Sequence, residues 1–280
     1  MIQVSGETIQ PNQLKVSTIE NKIAEHISSA DNVYSYPSKQ DLLFELTLRK
    51  NIIDSANLMN ESEAGFTTFQ YARCNPMYWI LTSEGGFRLR PDVSPSDAIS
   101  DIFQNSPQYA FECATACVIL IYHAVLKSLD RARFDYYFRD LYLYSWHTDT
   151  DLGLQTYYGN KYIPGDIVYF ANPDFSPALP WFRGENAVAM TDDNFFGHGL
   201  GIRTADEMIE FLNEQRYEGS TTSAYFTNLI THPSFQQLAQ LSVNPSYRSG
   251  YKIQAPVLHH NQTSICYLHY LAFLKQFFLS

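Results

Sequence analysis

The chain has 280 residues, 45% hydrophobic and 15% aromatic, which supports one large core and excludes fibrous and disordered classes. Its 19 lysines and arginines against 29 aspartates and glutamates give a net charge of −10. With no basic cluster, nucleic acid and anionic lipid surfaces are excluded as charge-matched partners.

In chain order, Pro37-Ser38 opens a helical pattern over about 41–59, where Leu42, Leu43, Leu46, Ile53 and Ala56 recur at three- and four-residue steps. Short β-prone runs follow at 66–71 and 77–81, and Gly85-Gly86 predicts a turn. Pro95 opens a short helix ending near Asn105, and Ser106-Pro107 leads into a helix from Cys113 to about Leu129. The texture then changes to strands, at 141–146 and at 167–170, the latter entered through Pro164-Gly165-Asp166. Runs 186–190 and 195–202 flank Thr191-Asp192-Asp193-Asn194 and predict a β-hairpin. Thr204 and Glu207 form a capping box for a helix through about Leu212. Helices first and strands later predict an α+β fold. The expected division is one domain over 1–232 and a C-terminal extension over 233–280, whose last fifteen residues are apolar. That apolar run is too short to span a bilayer and contains Lys275, so no membrane association is expected. No signal peptide is recognisable at the N-terminus, so the expected location is the cytoplasm.

Four cysteines, Cys74, Cys113, Cys117 and Cys266, match no zinc spacing and read as reduced thiols. Cys113 falls in the first turn of its helix, where free backbone N–H groups favour a thiolate and hence a nucleophile. Cys117 lies one turn further in, before Val118-Ile119-Leu120-Ile121, and reads as packing. A cysteine nucleophile needs a base, and His198, between Gly197 and Gly199, has an open face. If the hairpin centres on Asp192-Asp193, positions 190 and 195 pair and His198 faces Ala187. Glu185 then projects from the same face, diagonal to His198; a slip of one residue would turn it to the other face. His123 reads as core and His147 as a residue able to line a site. His26, His232, His259, His260 and His269 read as structural or surface groups. Residues 149–153 lack the remaining ligands of a calcium loop, and 197–201 lack the dinucleotide spacing, so neither metal nor organic cofactor is expected.

Tyr109-Ala110-Phe111-Glu112-Cys113-Ala114-Thr115-Ala116, with 164–170, 183–186 and 197–202, resembles the spore-coat transglutaminases (protein-glutamine γ-glutamyltransferases) of endospore-forming bacilli. Segments 44–52 and 143–147 support the resemblance, which extends over roughly residues 1–230. It implies an NlpC/P60-like, papain-related core with the cysteine helix packed on a small antiparallel sheet. It also implies Cys113 as nucleophile with His198 and Glu185 as partners, the choice of principal base staying open between these two. The family's tunnel of aromatic walls maps onto Phe69, Trp146 and either Trp181 or Phe182. Glu112 matches the family motif as a substrate- or proton-handling group, and its charge should raise the thiol pKa. The implied reaction joins glutamine and lysine side chains of protein substrates, expected to be coat proteins, through a thioester, with helix-start N–H groups holding the oxyanion. The implied location is the mother-cell cytoplasm and then the spore coat. The alternatives are an NlpC/P60-type cysteine peptidase or amidase using water as acceptor, and a structural coat component whose cysteine is core.

Overall fold

The computed structural model describes residues 1–243 and 255–279; the part of the expected extension at 244–254 and 280 lies outside the described residues. Ser17 and Glu20 cap each other reciprocally at the start of helix α1 (Thr18–Ser28). Ser38 accepts from the Asp41 N–H and starts α2 (Lys39–Glu61), two residues before the sequence pattern indicates. Leu42, Leu46, Ile53 and Ala56 are buried as expected, whereas Leu43 is half-buried. Pro95, at the first position where a missing N–H costs nothing, opens α3 (Pro95–Gln104). Helix α4 (Cys113–Ser128) is buried continuously from Cys113 to Val125, and α5 (Arg131–Tyr137) follows from an Asp130 cap. The Thr204–Glu207 box forms and starts α6 (Ala205–Glu214).

Six antiparallel strands make the main sheet, in the order Gly201–Thr204, Asn194–Gly197, Gly184–Ala189, Ile167–Ala171, Tyr225–His232 and Gln155–Tyr158. Its central strand, Gly184–Ala189, is buried throughout because both faces are covered. On one face α4 packs against it, with α2 beneath. On the other, Val168, Phe170, Ala187, Ala189 and Phe195 meet Met208 and Leu212 of α6.

One residue pins the sheet to α2. Arg49 is buried and donates to Glu45 at 2.8 Å and to Asp166 at 2.7 Å, with Phe235 stacked over its guanidinium. Gly165 turns there with φ +89, and a Cβ on it would lie 3.0 Å from the Arg49 backbone, so the turn needs glycine twice over. Phe235 opens α7 (Phe235–Val243), which packs on α2, and Ile265 and Tyr270 also join the main core. Helix α8 (Tyr267–Leu279) ends the described chain. Among the described residues no helix is long and apolar enough to cross a membrane.

The hairpin differs from expectation by one residue. Ala187 pairs with Gly197 and Ala189 with Phe195, and the Met190 N–H bonds to the Asn194 carbonyl at 2.8 Å. The loop is thus three residues long, closed by Asp193 in the left-handed conformation (φ 55), which an aspartate tolerates. The second strand also stops at Gly197; His198 stands in a turn before the next strand begins at Gly201.

Candidate active site

Glu112 caps α4. Its carboxylate accepts from the Ala114 N–H at 2.8 Å, the Thr115 N–H at 2.6 Å and the Thr115 hydroxyl at 2.8 Å. These are two of the helix-start donors the sequence left free for an anion, so in this state neither Ala114 nor Thr115 can hold an oxyanion. Cys113 is completely buried, and its thiol is pushed well above the ordinary range by burial first, then by the charges of Glu185 and Glu112. Both influences oppose the thiolate that a helix terminus alone would favour. Cys117, also buried, donates to the Asn186 carbonyl at 3.7 Å.

Strand alternation places the next residues. Asn186 shares the α4-facing side with Val188, and its side-chain nitrogen lies 3.4 Å from the Cys113 sulfur. Glu185 is on the parity of Ala187 and Ala189, and its carboxylate lies over Gly197, where an added Cβ would be 2.9 Å from Oε1. Gly197 thus makes room for Glu185. Burial and the neighbouring Glu112 charge raise the Glu185 pKa well above the usual carboxylate range, partly opposed by the His198 backbone N–H. Its Oε1 has no hydrogen-bond partner. The His198 ring lies nearly parallel to Phe111, centroids 4.6 Å apart, with Nε2 3.2 Å from the Gly65 carbonyl. Burial lowers its pKa to about 4, against opposing main-chain hydrogen bonds at Gly65 and Phe111. The Glu185 carboxylate acts on the Cys113 thiol and meets the His198 main chain, whereas the His198 ring meets Phe111 and Gly65 and the sulfur's own hydrogen bonds run to Asn186 and Ser264.

The aromatic residues divide. Phe69 and Trp181 line one open pocket of about 580 Å³ together with Tyr144, His259, His260 and Thr263. Phe182 points elsewhere, stacked on Phe66 and edge-on to Phe211, so Trp181 is the aromatic that shares the pocket with Phe69. Trp146 is buried, its indole N–H donating to the Ile265 carbonyl at 2.7 Å. Among residues absent from the sequence-based site, Asn186 and Ser264 touch the Cys113 sulfur, Ile265 touches Trp146, and the Tyr169 hydroxyl holds the Ser264 carbonyl. Alternation along 184–189 holds a signal for Asn186; nothing in the composition of the tail marks Ser264 or Ile265. Among the described residues no group of three or more His, Cys, Asp or Glu side chains is arranged to hold a metal ion.

The sequence profile of the family described as protein-glutamine gamma-glutamyltransferase matches residues 1–242. A protein of that description from Halalkalibacterium halodurans is 49% identical over 278 residues, 98% of this chain and 97% of the relative. Another from Bacillus pumilus is 41% identical over 244 residues, 86% of this chain and 99% of the relative. The fold also matches a solved transglutaminase from Geobacillus stearothermophilus, described as without its C-terminal extension. The TM-score is 0.71 at 48% identity, covering 74% of this chain and 99% of that one. The chain belongs to the protein-glutamine gamma-glutamyltransferase family.

Proposed function

We infer that this chain is a transglutaminase in which the Cys113 sulfur attacks the γ-carboxamide carbon of a protein glutamine. The thiol proton passes to a neighbouring base, a proton is delivered to the departing nitrogen, and ammonia leaves a γ-glutamyl thioester. A lysine amine then attacks the thioester, loses its proton to the site, and expels the sulfur with formation of an ε-(γ-glutamyl)lysine bond. Burial disfavours the charged forms of both partners, lowering the His198 pKa to about 4 and raising that of Glu185. The proton is carried between sulfur and nitrogen by one of these two groups. Phe69, Trp146 and Trp181 supply the apolar walls that let an amine compete with water.

What carries this reading is the place of Cys113 at the first turn of α4, against the strand bearing Glu185 and Asn186, in a chain matched to the family from 1 to 242. The papain-related, NlpC/P60-like description of the core rests on that same helix-on-sheet arrangement. Coat proteins as substrates, and a path from mother-cell cytoplasm to spore coat, rest on the motif resemblance alone. The catalytic domain is proposed to span residues 1–232, with 233–280 as a C-terminal extension.

Incubation with casein and a fluorescent primary amine tests the function. Covalent label on casein, absent with Cys113→Ala, supports transfer. Release of glutamate or peptide without label would point to a hydrolase on the same residues, and unchanged cross-linking by Cys113→Ala to a structural role for the cysteine.

A further inference from the structure

The C-terminal segment runs directly over the Cys113 sulfur. Residues 263–266 are buried, Ser264 completely and Ile265 to within 1%. Ser264 holds a left-handed backbone (φ 57), a conformation uncommon for serine and fixed here by its surroundings. The Tyr169 hydroxyl donates to the Ser264 carbonyl at 3.0 Å, the Ser264 hydroxyl donates to the Trp181 carbonyl, and the Cys113 thiol donates to Ser264 Oγ at 3.4 Å. Upstream, Arg183 donates to Gln262, and the Tyr144 hydroxyl donates to the His260 carbonyl at 2.7 Å. Downstream, Tyr267 packs on Trp146 with centroids 5.5 Å apart.

The decisive atom is the Ile265 carbonyl oxygen. It accepts from Trp146 Nε1 at 2.7 Å and from Asn186 Nδ2 at 3.1 Å, and that same Asn186 nitrogen is 3.4 Å from the Cys113 sulfur. A carbonyl oxygen gripped by two buried N–H donors, one of them beside the nucleophile, is placed as an acyl oxygen must be during attack. Of the backbone donors at the start of α4, the Ala114 and Thr115 N–H groups are held by Glu112 and do not serve this task.

We infer that Trp146 Nε1–H and Asn186 Nδ2–H form the binding site for the acyl oxygen of the glutamine donor, and that the C-terminal segment around Ser264 and Ile265 is its resident occupant, excluding substrate until it leaves. The inference rests on the transferase reading above. No bond to the tail is made or broken; the competition is one of occupancy. A segment tethered in cis acts at an effective concentration near millimolar, so only the undocked fraction accepts substrate, and the apparent affinity falls by that fraction.

The test keeps the full chain. Ile265→Asp places a carboxylate in an apolar pocket and should undock the segment. Two readouts are compared with the parent: the rate of Cys113 alkylation by iodoacetamide, followed by mass spectrometry of the Cys113 peptide, and kcat/KM for amine incorporation into casein. Both are expected to rise at least about tenfold. Alkylation unchanged by the substitution, with the variant folded by circular dichroism, would overturn the occupancy claim. Faster alkylation with no transfer to casein would uphold it while overturning the transferase reading. Adding Asn186→Ala or Trp146→Phe to Ile265→Asp should lower kcat by about 10²-fold while Cys113 alkylation stays fast. Undiminished kcat in both would overturn the acyl-oxygen site. A synthetic peptide spanning 258–279 should inhibit the Ile265→Asp enzyme competitively against the glutamine donor; inhibition that is not competitive, or none, counts against a shared site.

Discussion

The side-chain nitrogen of Asn186 lies 3.4 Å from the Cys113 sulfur, within a pocket closed by α4, the central strand and the C-terminal segment. The two cysteines of α4 are distinguished by this geometry. Cys113→Ala should abolish amine incorporation. Cys117→Ala should keep most of it, because Cys117 meets only a main-chain carbonyl and core, and its loss costs about 1 kcal/mol as a small cavity. A casein-labelling assay on both variants, with a thermal melt of each, checks the pair. The reverse pattern would remove Cys113 from the nucleophile role.

Gly197→Ala tests the placing of Glu185 without touching its chemistry. The new methyl would lie 2.9 Å from Oε1 and must push the carboxyl aside. We expect kcat to fall with little change in melting temperature, and Glu185→Gln to fall further, by about 10²-fold or more, since the proton is lost as well. Full activity in both variants would sever Glu185 from the reaction.

Arg49 answers two buried carboxylates, Glu45 and Asp166, and removing it leaves both uncompensated. Arg49→Met should cost about 3–5 kcal/mol. At roughly 2–4 °C per kcal/mol, the melting temperature would drop by about 6–20 °C. A drop of under about 2 °C in calorimetry would show that the network contributes little.

Docking of the C-terminal segment should weaken in mild acid. His260 is half-buried between Phe69 and Tyr144, its Nε2 3.0 Å from the Ser145 hydroxyl; Arg183 and His259 are the charged and titratable groups acting on it. Burial lowers its pKa to about 4, and burial does the same to His147, which lies under the segment near Pro256. A histidine whose pKa is depressed on docking favours the docked state above its ordinary 6.5. That advantage disappears as pH falls from 6.5 toward about 4. Cys113 alkylation, normalised to that of Ile265→Asp at each pH, should therefore rise through this window. A flat ratio would exclude the histidines from control of docking.

Much of the frame was legible in the sequence because it is written in local chemistry. Ser38, Pro95 and the Thr204–Glu207 box fix helix starts within a few residues, and the apolar stripe of α2 follows from its spacing. The hairpin slipped by one residue because its loop closes through a left-handed Asp193, a backbone choice that Thr191-Asp192-Asp193-Asn194 does not announce. For the Cys113 thiol the opposing charge of Glu112 was legible in the sequence, but the capping role of its two oxygens and the complete burial of the sulfur were not. The segment 258–266 was illegible, since its partners lie about 80–150 residues away and its own pattern has no period.

The cap on α4 has one more consequence. Glu112, Thr115 and Ser145 hold one another through bonds that involve no residue of the C-terminal segment. When that segment departs, the Cys113 thiol loses its bond to Ser264 and the Ser145 hydroxyl its bond to His260, while the cap at the start of α4 stays in place. The helix end that bears Cys113 is thus held before any substrate arrives, and opening asks for no refolding of that turn.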